Sequence, residues 1–282
     1  MTSSTATITT SYSDLHPNLV ISSSRKVHHL LFTKMRDTST SPADFVQYSK
    51  RSMRILAEDA LAEFPSTEVK ITTPCGSFDG VRGPDPTNIC AVSIIRSGDA
   101  LLEVVREVEP AVRVGKILIQ RDESIPEKTA KLFYSKLPPD IANQYVLLCD
   151  PMLATGGSAM KAIEHLVEQN NVKPSRIIFA NMICAPEGLK CLGVAYPEIK
   201  IVTAAIDDCL NDEKFIVPGL GTFYCIRTII TNDDTNTQPL ELLGGFTQYL
   251  TLSVTFFGYS FLFCFDFDRG LWRSFLQLIV SE

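Results

Sequence analysis

The residues with the clearest chemical potential lie at 150–158. Asp150 ends an apolar run at 145–149, and two adjacent glycines stand between Thr155 and Ser158, just before a helical stretch. Adjacent glycines let a backbone approach a ligand closely and turn its N–H groups inward. The start of a helix adds partial positive charge and unpaired N–H donors. The segment therefore predicts a phosphate-binding loop, with Asp150 placed to accept hydrogen bonds from sugar hydroxyls.

The alternative interpretation of 150–158 is a tight turn between a strand and a helix, with Ser158 as the helix cap. No Lys follows the glycines, so the segment is not a nucleotide-binding P-loop, and the G-x-G-x-x-G spacing of dinucleotide-binding folds is absent. The acid at the strand end, together with the two hydroxyl side chains, favours the binding interpretation.

Two arginines also end apolar runs. Arg96 follows 92–95 and precedes a Ser-Gly step, while Arg121 follows 117–120. Small residues after Arg96 free backbone donors, which favours anion binding. The alternatives are a surface arginine at Arg96 and an ion pair between Arg121 and the two acids after it. An exposed pair of that kind contributes only about 0–1 kcal/mol, which is a weak structural reason for an arginine there.

The elements that must position these residues alternate along the chain. Apolar runs predict strands, and helical spacing predicts helices, in the following segments: strands at 92–95, 117–120, 145–149, 176–183 and 199–205, and helices at 42–64, 98–108 and 157–169. Near-continuous apolar strands between helices are typical of an α/β fold with a parallel sheet covered by helices on both faces. Ligands of such sheets bind beyond the carboxyl ends of the strands.

Two segments are predicted to lack regular structure. Residues 1–16 are rich in Ser and Thr, nearly uncharged and without a period, so we expect a disordered N-terminal tail. Residues 122–137 have mixed charge and predict a loop. That loop is either a mobile cover that excludes water from a site or an ordinary exposed connection.

The composition excludes several functional classes. The 26 basic and 32 acidic residues leave a net charge of −6, which is unfavourable for binding duplex nucleic acid. The chain has 4 histidines and 8 cysteines, but no CxxC pair and no Cys/His spacing of the zinc type. We therefore expect no protein-held metal, and we expect free thiols in a reducing, cytoplasmic context.

The string Asp-Pro-Met-Leu-Ala-Thr-Gly-Gly-Ser at 150–158 resembles the phosphoribosyl-pyrophosphate (PRPP) loop of type I phosphoribosyltransferases, in the form found in uracil phosphoribosyltransferases. Further motifs of that family occur in the same order along the chain, at 41–45, 94–98, 115–123, 136–138, 185–188 and 216–221. The resemblance extends from about residue 17 to Gly221, which defines a predicted domain at 17–221.

The resemblance implies the type I phosphoribosyltransferase fold and a reaction of pyrimidine salvage, in which uracil and PRPP give UMP and pyrophosphate. It implies catalytic roles for Arg96, Arg121 and Asp150, with both arginines on the pyrophosphate. The implied PRPP site comprises Arg96, Arg121, Asp150, Pro151, Met152, Leu153, Ala154, Thr155, Gly156, Gly157 and Ser158. The implied uracil site comprises Ile216, Gly221, Thr222 and Phe223.

The resemblance also implies the partners of the protein. Mg²⁺ arrives on the oxygens of the substrate, consistent with its preference for phosphate ligands. Members of the family commonly form homo-oligomers, and some respond to GTP, so we expect an oligomer and a possible GTP effector. Neither a nucleic acid nor a membrane is an expected partner.

The resemblance breaks inside the predicted base-binding segment. The family continues after Gly221 with an Asp and then a Gly-Asp-Arg/Lys run, whereas this chain has Thr222 and Phe223. Losing one aimed polar contact in a transition state typically costs about 2.7–4 kcal/mol. We hypothesise weak or absent uracil transfer. The alternative function is a PRPP- or nucleotide-binding relative with a regulatory or partner-binding role.

Residues 222–282 form a divergent, apolar C-terminal tail in this interpretation. Residues 246–265 contain no charge and have the length of a membrane span, although several Ser and Thr residues interrupt it. The alternation at 249–255 instead predicts a strand. A third interpretation is translated non-coding sequence from a mis-spliced or mis-predicted gene, because the resemblance is lost within one motif.

Overall fold

The predicted ligand-binding residues follow strands of one central sheet. The computed structural model describes residues 14–121, 130–221, 249–256 and 259–266. The eight strands of the sheet are β1 (Leu19–Ile21), β4 (Ile89–Ile95), β5 (Arg113–Arg121), β6 (Ala130–Lys136), β7 (Tyr145–Cys149), β8 (Met152–Leu153), β9 (Ile177–Cys184) and β10 (Lys200–Ile206). Their order is β1-β10-β9-β7-β4-β5-β6, with β8 also paired to β9. Every pair is parallel except β5 with β6.

Five helices surround this sheet in the part of the chain that the structure describes. They are α1 (Arg25–Arg36), α2 (Pro42–Ala62), α3 (Gly98–Val108), α4 (Gly157–Glu164) and α5 (Pro186–Ala195), and a π-helical turn at His165–Gln169 extends α4. The predicted start of α2 is confirmed, because the Ser41 hydroxyl accepts a hydrogen bond from the Asp44 amide at 3.1 Å. Such a cap satisfies one of the amides that a helix start leaves unpaired.

Helices cover both faces of the sheet, as the sequence predicts. On one face α1, α2 and α3 pack on alternate strand residues such as Ala91, Leu147 and Ala180. On the other face α4 and α5 pack on their neighbours, among them Val92 and Leu148. The strands β4, β7 and β9 are buried along nearly their whole length. This double coverage explains why these strands are nearly continuous apolar runs in the sequence.

The prediction of an unstructured segment at 122–137 is wrong for its second half. Residues 130–136 form β6, which pairs antiparallel with β5 from Arg121↔Ala130 to Lys116↔Lys136. This strand lies at the edge of the sheet and four of its seven residues are exposed, so it lacks the continuous apolar run that marks the central strands. Residues 122–129 lie outside the described residues.

Packed structure begins before residue 17. Leu15 and His16 are buried, and the Leu15 carbonyl approaches Gly193 of α5. Residues 1–13 lie outside the described residues. The structure also contains an antiparallel hairpin that the sequence did not predict, formed by β2 (Thr67–Thr73) and β3 (Gly76–Arg82). Its residues are mostly exposed, so no apolar stripe marks it.

The chain consists of two units, Met1–Asp234 and Thr235–Glu282. In the second unit, β13 (Tyr249–Phe256) and β14 (Tyr259–Asp266) pair antiparallel. This backbone matches the strand interpretation of 249–255 rather than a helical span. Among the residues that the structure describes, none of the helices has the length and apolar character needed to cross a membrane.

Two short strands in the first unit, β11 (Cys209–Leu210) and β12 (Ile216–Val217), form a separate ladder.

A buried histidine links the first helices of the fold. His28 Nε2 lies 2.9 Å from Ser22 Oγ and His28 Nδ1 lies 2.8 Å from Ser52 Oγ, while the Ser22 hydroxyl donates to Asp59. Since the hydroxyl hydrogen of Ser22 is donated to Asp59, the Ser22 oxygen accepts a hydrogen bond from His28 Nε2–H. His28 Nδ1 therefore accepts a hydrogen bond from the Ser52 hydroxyl. Burial lowers the pKa of His28, and the nearby Asp59 carboxylate opposes this shift.

We expect His28→Gln to destabilise the protein in a pH-dependent manner. A histidine whose pKa is lowered on folding contributes stability above its unfolded pKa of about 6.5 and loses it as the pH falls toward the folded pKa. The variant should therefore lose about 1–3 kcal/mol of unfolding free energy at pH 8 and less at pH 5.5, measured by urea denaturation. His29→Gln, at the exposed neighbour, is the control. An equal difference at both pH values would contradict this expectation.

Candidate active site

Asp150 lies at the centre of the carboxyl edge of the sheet, directly after β7. Its side chain is buried, and the Ser97 hydroxyl donates a hydrogen bond to Asp150 Oδ1 at 2.7 Å. Burial raises the pKa of Asp150 to about 7, opposed by the hydrogen bonds from Ser97 and from the Met152 amide. A buried carboxyl group with a pKa near neutrality is typical of a functional position, because its burial costs stability that a purely structural role would not require.

The loop after β4 packs closely against the backbone at the end of β7. Gly98 begins α3, and a Cβ placed on it would lie 2.2 Å from the Cys149 carbonyl oxygen and 2.9 Å from Ser93 Oγ. Only a glycine permits this close approach. The approach places Ser97 within hydrogen-bonding reach of Asp150 and holds the Arg96 backbone at the edge where Asp150 lies. The Ile95–Arg96 peptide bond is cis.

The predicted phosphate loop is anchored to the neighbouring strand before it reaches its glycines. The Pro151 carbonyl accepts hydrogen bonds from the amides of Met182 and Ile183 at 2.9 and 3.2 Å. The next two residues form β8, which pairs with the end of β9, and the Ala185 amide donates to the Leu153 carbonyl at 2.9 Å. The first half of the loop is therefore fixed before a ligand binds, which reduces the ordering cost of binding.

The second half of the loop turns into α4 at its glycine pair. Gly156 has a φ of +88° and forms the N-cap of α4, where it supplies no side-chain cap, and the Gly157 amide donates a long hydrogen bond to the Thr155 hydroxyl at 3.5 Å. Thr155 and Gly157 are exposed, while Pro151, Leu153 and Gly156 are buried. Exposed backbone at a helix start beside a buried, anchored segment is a suitable geometry for an anion.

The two predicted arginines occupy different strand ends. Arg96 is exposed on the loop after β4, next to Ser97. Arg121 is the last residue of β5 and its backbone pairs with Ala130, while its side chain lies outside the described residues. Lys116, on the same strand, forms an ion pair with Asp99 at 3.1 Å. The carboxyl ends of the adjacent strands β7, β4 and β5 therefore carry the three residues predicted to be catalytic.

The predicted base-binding segment lies farther along the same edge, beyond β10. Ile216 and Leu220 are buried, and the Gly219 amide donates to Asp207 Oδ2 at 2.9 Å. Gly221 is exposed with a φ of +70°. We call residues 216–221 the base loop. Thr222 and Phe223, the other two predicted uracil contacts, lie outside the described residues.

Comparison with known proteins decides the family. A family model described as uracil phosphoribosyltransferase matches residues 21–223. The uracil phosphoribosyltransferase of Dictyostelium discoideum is 45% identical over 207 residues, covering 73% of this chain and 94% of that protein. The chain belongs to the uracil phosphoribosyltransferase family. The corresponding protein of Lachancea kluyveri is 47% identical over 201 residues, covering 70% and 91% of the two chains.

A solved structure has a similar fold. The AQ2163 protein from Aquifex aeolicus is 29% identical, with a TM-score of 0.63 over 74% of this chain and 97% of that one. The predictions of the uracil phosphoribosyltransferase family and of a type I phosphoribosyltransferase fold are confirmed.

The sequence does not predict three polar residues that lie at the carboxyl edge of the sheet. The sequence marks Ser97 only as a small residue after Arg96, although its hydroxyl donates to Asp150. Asp207 follows an apolar strand just as Asp150 does, so the same strand-end signal would have found it. Arg36 gave no signal, because its partner Asp207 lies 171 residues away along the chain. Cys149, inside β7, is completely buried, which raises the pKa of its thiol and makes it an inert part of the core.

Proposed function

We propose that the protein transfers the 5-phosphoribosyl group of PRPP to uracil, giving UMP and pyrophosphate. A bond forms between a uracil nitrogen and C1 of the ribose, the bond from C1 to the pyrophosphate oxygen breaks, and the nitrogen loses its proton. The observation that carries the proposal is the buried Asp150, hydrogen-bonded to Ser97 and followed by an anchored loop that opens into α4.

Each part of the carboxyl edge has a proposed role. Asp150 accepts hydrogen bonds from the ribose hydroxyls, and residues 154–158 bind the 5′-phosphate through backbone amides and hydroxyls. Arg96 and Arg121 neutralise the departing pyrophosphate, which is the electrostatic part of the catalysis. Holding both substrates in line supplies most of the remainder, so no protein nucleophile is required.

The donor set also fits magnesium carried by the substrate. Within 14–121, 130–221 and the two strands beyond, no three His, Cys, Asp or Glu residues are grouped so as to hold a metal ion. A single carboxylate beside a phosphate loop suits Mg²⁺, which keeps water and substrate phosphates as most of its ligands. When bound, the ion supplies positive charge to the pyrophosphate. Asp150 carries the carboxylate that would coordinate this ion.

Several finer properties remain predictions from the family. These are homo-oligomerisation, a response to GTP, and a cytoplasmic location. The uracil contacts of Ile216 and Gly221 and the consequence of Thr222 and Phe223 are also predictions. The weakened-transfer hypothesis concerns only the base half of the site, so it leaves the expected binding of PRPP unchanged.

Pyrophosphate release tests the proposed function. We expect the purified protein to bind PRPP with Mg²⁺ in calorimetry and to release pyrophosphate only when uracil is also present, with UMP formed in equal amount. Binding of PRPP without uracil-dependent release would favour the non-catalytic relative. Absence of any heat with PRPP would contradict the whole assignment. Replacing Thr155 with Val keeps the size of the side chain while removing its hydroxyl, and should weaken PRPP binding.

A further inference from the structure

A buried ion pair contacts the base loop through a hydrogen bond to its backbone. Arg36, the last residue of α1, donates from Nη1 to Asp207 Oδ2 at 3.0 Å and from Nη2 to Asp207 Oδ1 at 2.6 Å. The Asp207 side chain is 4% exposed and that of Arg36 is 23% exposed. The guanidinium also lies over the Phe32 ring, 5.3 Å from its centroid. Two parallel hydrogen bonds and a stacked aromatic ring fix both partners.

The same carboxylate holds the base loop. Asp207 Oδ2 accepts the Gly219 amide at 2.9 Å, while the Asp207 amide donates to the Cys184 carbonyl at the end of β9 at 2.9 Å. Asp207 therefore connects the loop to the sheet. The turn is tight, because Gly219 has a φ of +66° and a Cβ there would lie 2.2 Å from the Ile216 carbonyl oxygen. The hydrogen bond from the Gly219 amide to Asp207 fixes the orientation of this turn.

Losing Arg36 would leave a buried carboxylate without its countercharge. Such a charge is strongly unfavourable, so the Asp207 side chain would rotate toward water or attract other donors. Either rearrangement weakens the hydrogen bond to Gly219. The loops that carry Asp150 and Arg96 depend on other contacts, namely the pairing of β8 with β9 and the approach of Gly98 to β7. Damage to the pair should therefore remain in the base half of the site.

We infer that Arg36 and Asp207 are positioning residues that fix the base loop and thereby set the affinity for the pyrimidine rather than for PRPP. This inference rests on the proposed function, in which Ile216 and Gly221 contact uracil. The pair contacts no substrate itself. Its effect passes through the backbone of residues 216–221, and the Gly219 amide is occupied by Asp207 instead of a ligand.

The chain offers a matched control at the opposite end of β10. Lys200 Nζ binds Glu63 Oε2 at 2.8 Å, in an ion pair whose side chains are 35% and 33% exposed. It joins β10 to the end of α2, at the amino end of the strand. Lys200→Met removes one cation from this pair, as Arg36→Met does from the other, but far from the loops at the carboxyl edge.

Steady-state kinetics with the full chain provide the first test. We expect Arg36→Met to raise KM for uracil at least tenfold while KM for PRPP stays within twofold. Arg36→Lys keeps one charged donor and should recover part of the loss. Lys200→Met should leave both constants within twofold. An unchanged KM for uracil in Arg36→Met, or an equal rise of both constants, would overturn the inference.

Hydrogen exchange without substrates separates this inference from the proposed function. We expect the amide of Gly219 to exchange at least tenfold faster in Arg36→Met than in the unmodified protein, and to be unaffected by Lys200→Met. If the unmodified protein fails to use uracil, the proposed function is wrong, yet this comparison still shows whether the pair holds the loop. Unchanged exchange at Gly219 would overturn the inference whatever the kinetics.

Discussion

Gly98→Ala is expected to lower kcat/KM for PRPP by about a hundredfold or more. The added methyl group would lie 2.2 Å from the Cys149 carbonyl oxygen, which belongs to the backbone of a central strand and cannot move aside. The loop carrying Arg96 and Ser97 must shift instead, and the 2.7 Å hydrogen bond from Ser97 to Asp150 must lengthen or break. A displacement of about 1 Å in a positioning group can cost about 10² in rate.

The control for this variant is Gly83→Ala. Gly83 is exposed, and a Cβ there would meet no atom within 4 Å, so the same chemical change has no steric consequence. Circular dichroism and gel filtration would show whether the Gly98 variant folds. A folded Gly98→Ala protein with a kcat/KM within threefold of the unmodified enzyme would contradict the proposed role of this contact in positioning Arg96 and Ser97.

Asp150→Asn is expected to lose activity and gain stability. Removing the carboxylate that accepts the ribose hydroxyls should lower kcat/KM for PRPP by about 10²–10³. The raised pKa also has an energetic consequence. A carboxyl group whose pKa is about 7 when folded and 3.8 when unfolded contributes stability that is fully present at low pH and is lost as the pH rises through 7. At pH 8 this buried charge costs up to about 4 kcal/mol.

The two effects of Asp150→Asn are measured separately. Urea denaturation should show the variant to be more stable than the unmodified protein at pH 8, with the difference shrinking toward pH 4. The unmodified enzyme should lose kcat/KM for PRPP as the pH falls below about 7, and the residual activity of the variant should lack that dependence. Glu58→Gln, an exposed acid on α2, is the control. Equal destabilisation of Asp150→Asn at all pH values would contradict the burial cost.

The stability cost of Asp150 and the proposed role of Arg36 have a common physical cause. Both Asp150 and Asp207 are carboxylates buried at the carboxyl edge of the sheet. Asp207 is compensated by a guanidinium, whereas Asp150 accepts hydrogen bonds from a hydroxyl and an amide. Among the described residues, the donors to Asp150 are neutral groups, which suits its carboxylate to hydroxyl donors from a sugar. Asp207, which is paired with the Arg36 guanidinium, is suited to a structural role.

Local sequence determined the elements whose signals lie within a few residues. The Ser41 cap and Pro42 predict the start of α2, and the apolar runs of β4, β7 and β9 predict buried parallel strands. The acid, glycines and hydroxyls at 150–158 predict the loop and its place at the strand end. These features depend on backbone conformation and on the period of apolar residues, both of which adjacent residues control.

Tertiary structure decided the features that depend on distant partners. The strand β6 exists because β5 supplies its hydrogen bonds, and two adjacent exposed residues, Phe133 and Tyr134, interrupt its alternation. The bond from Ser97 to Asp150 spans 53 residues, and the bond from Arg36 to Asp207 spans 171. Which side chains meet at the carboxyl edge follows from the order in which the crossovers place the strands, and neighbouring residues do not encode that order.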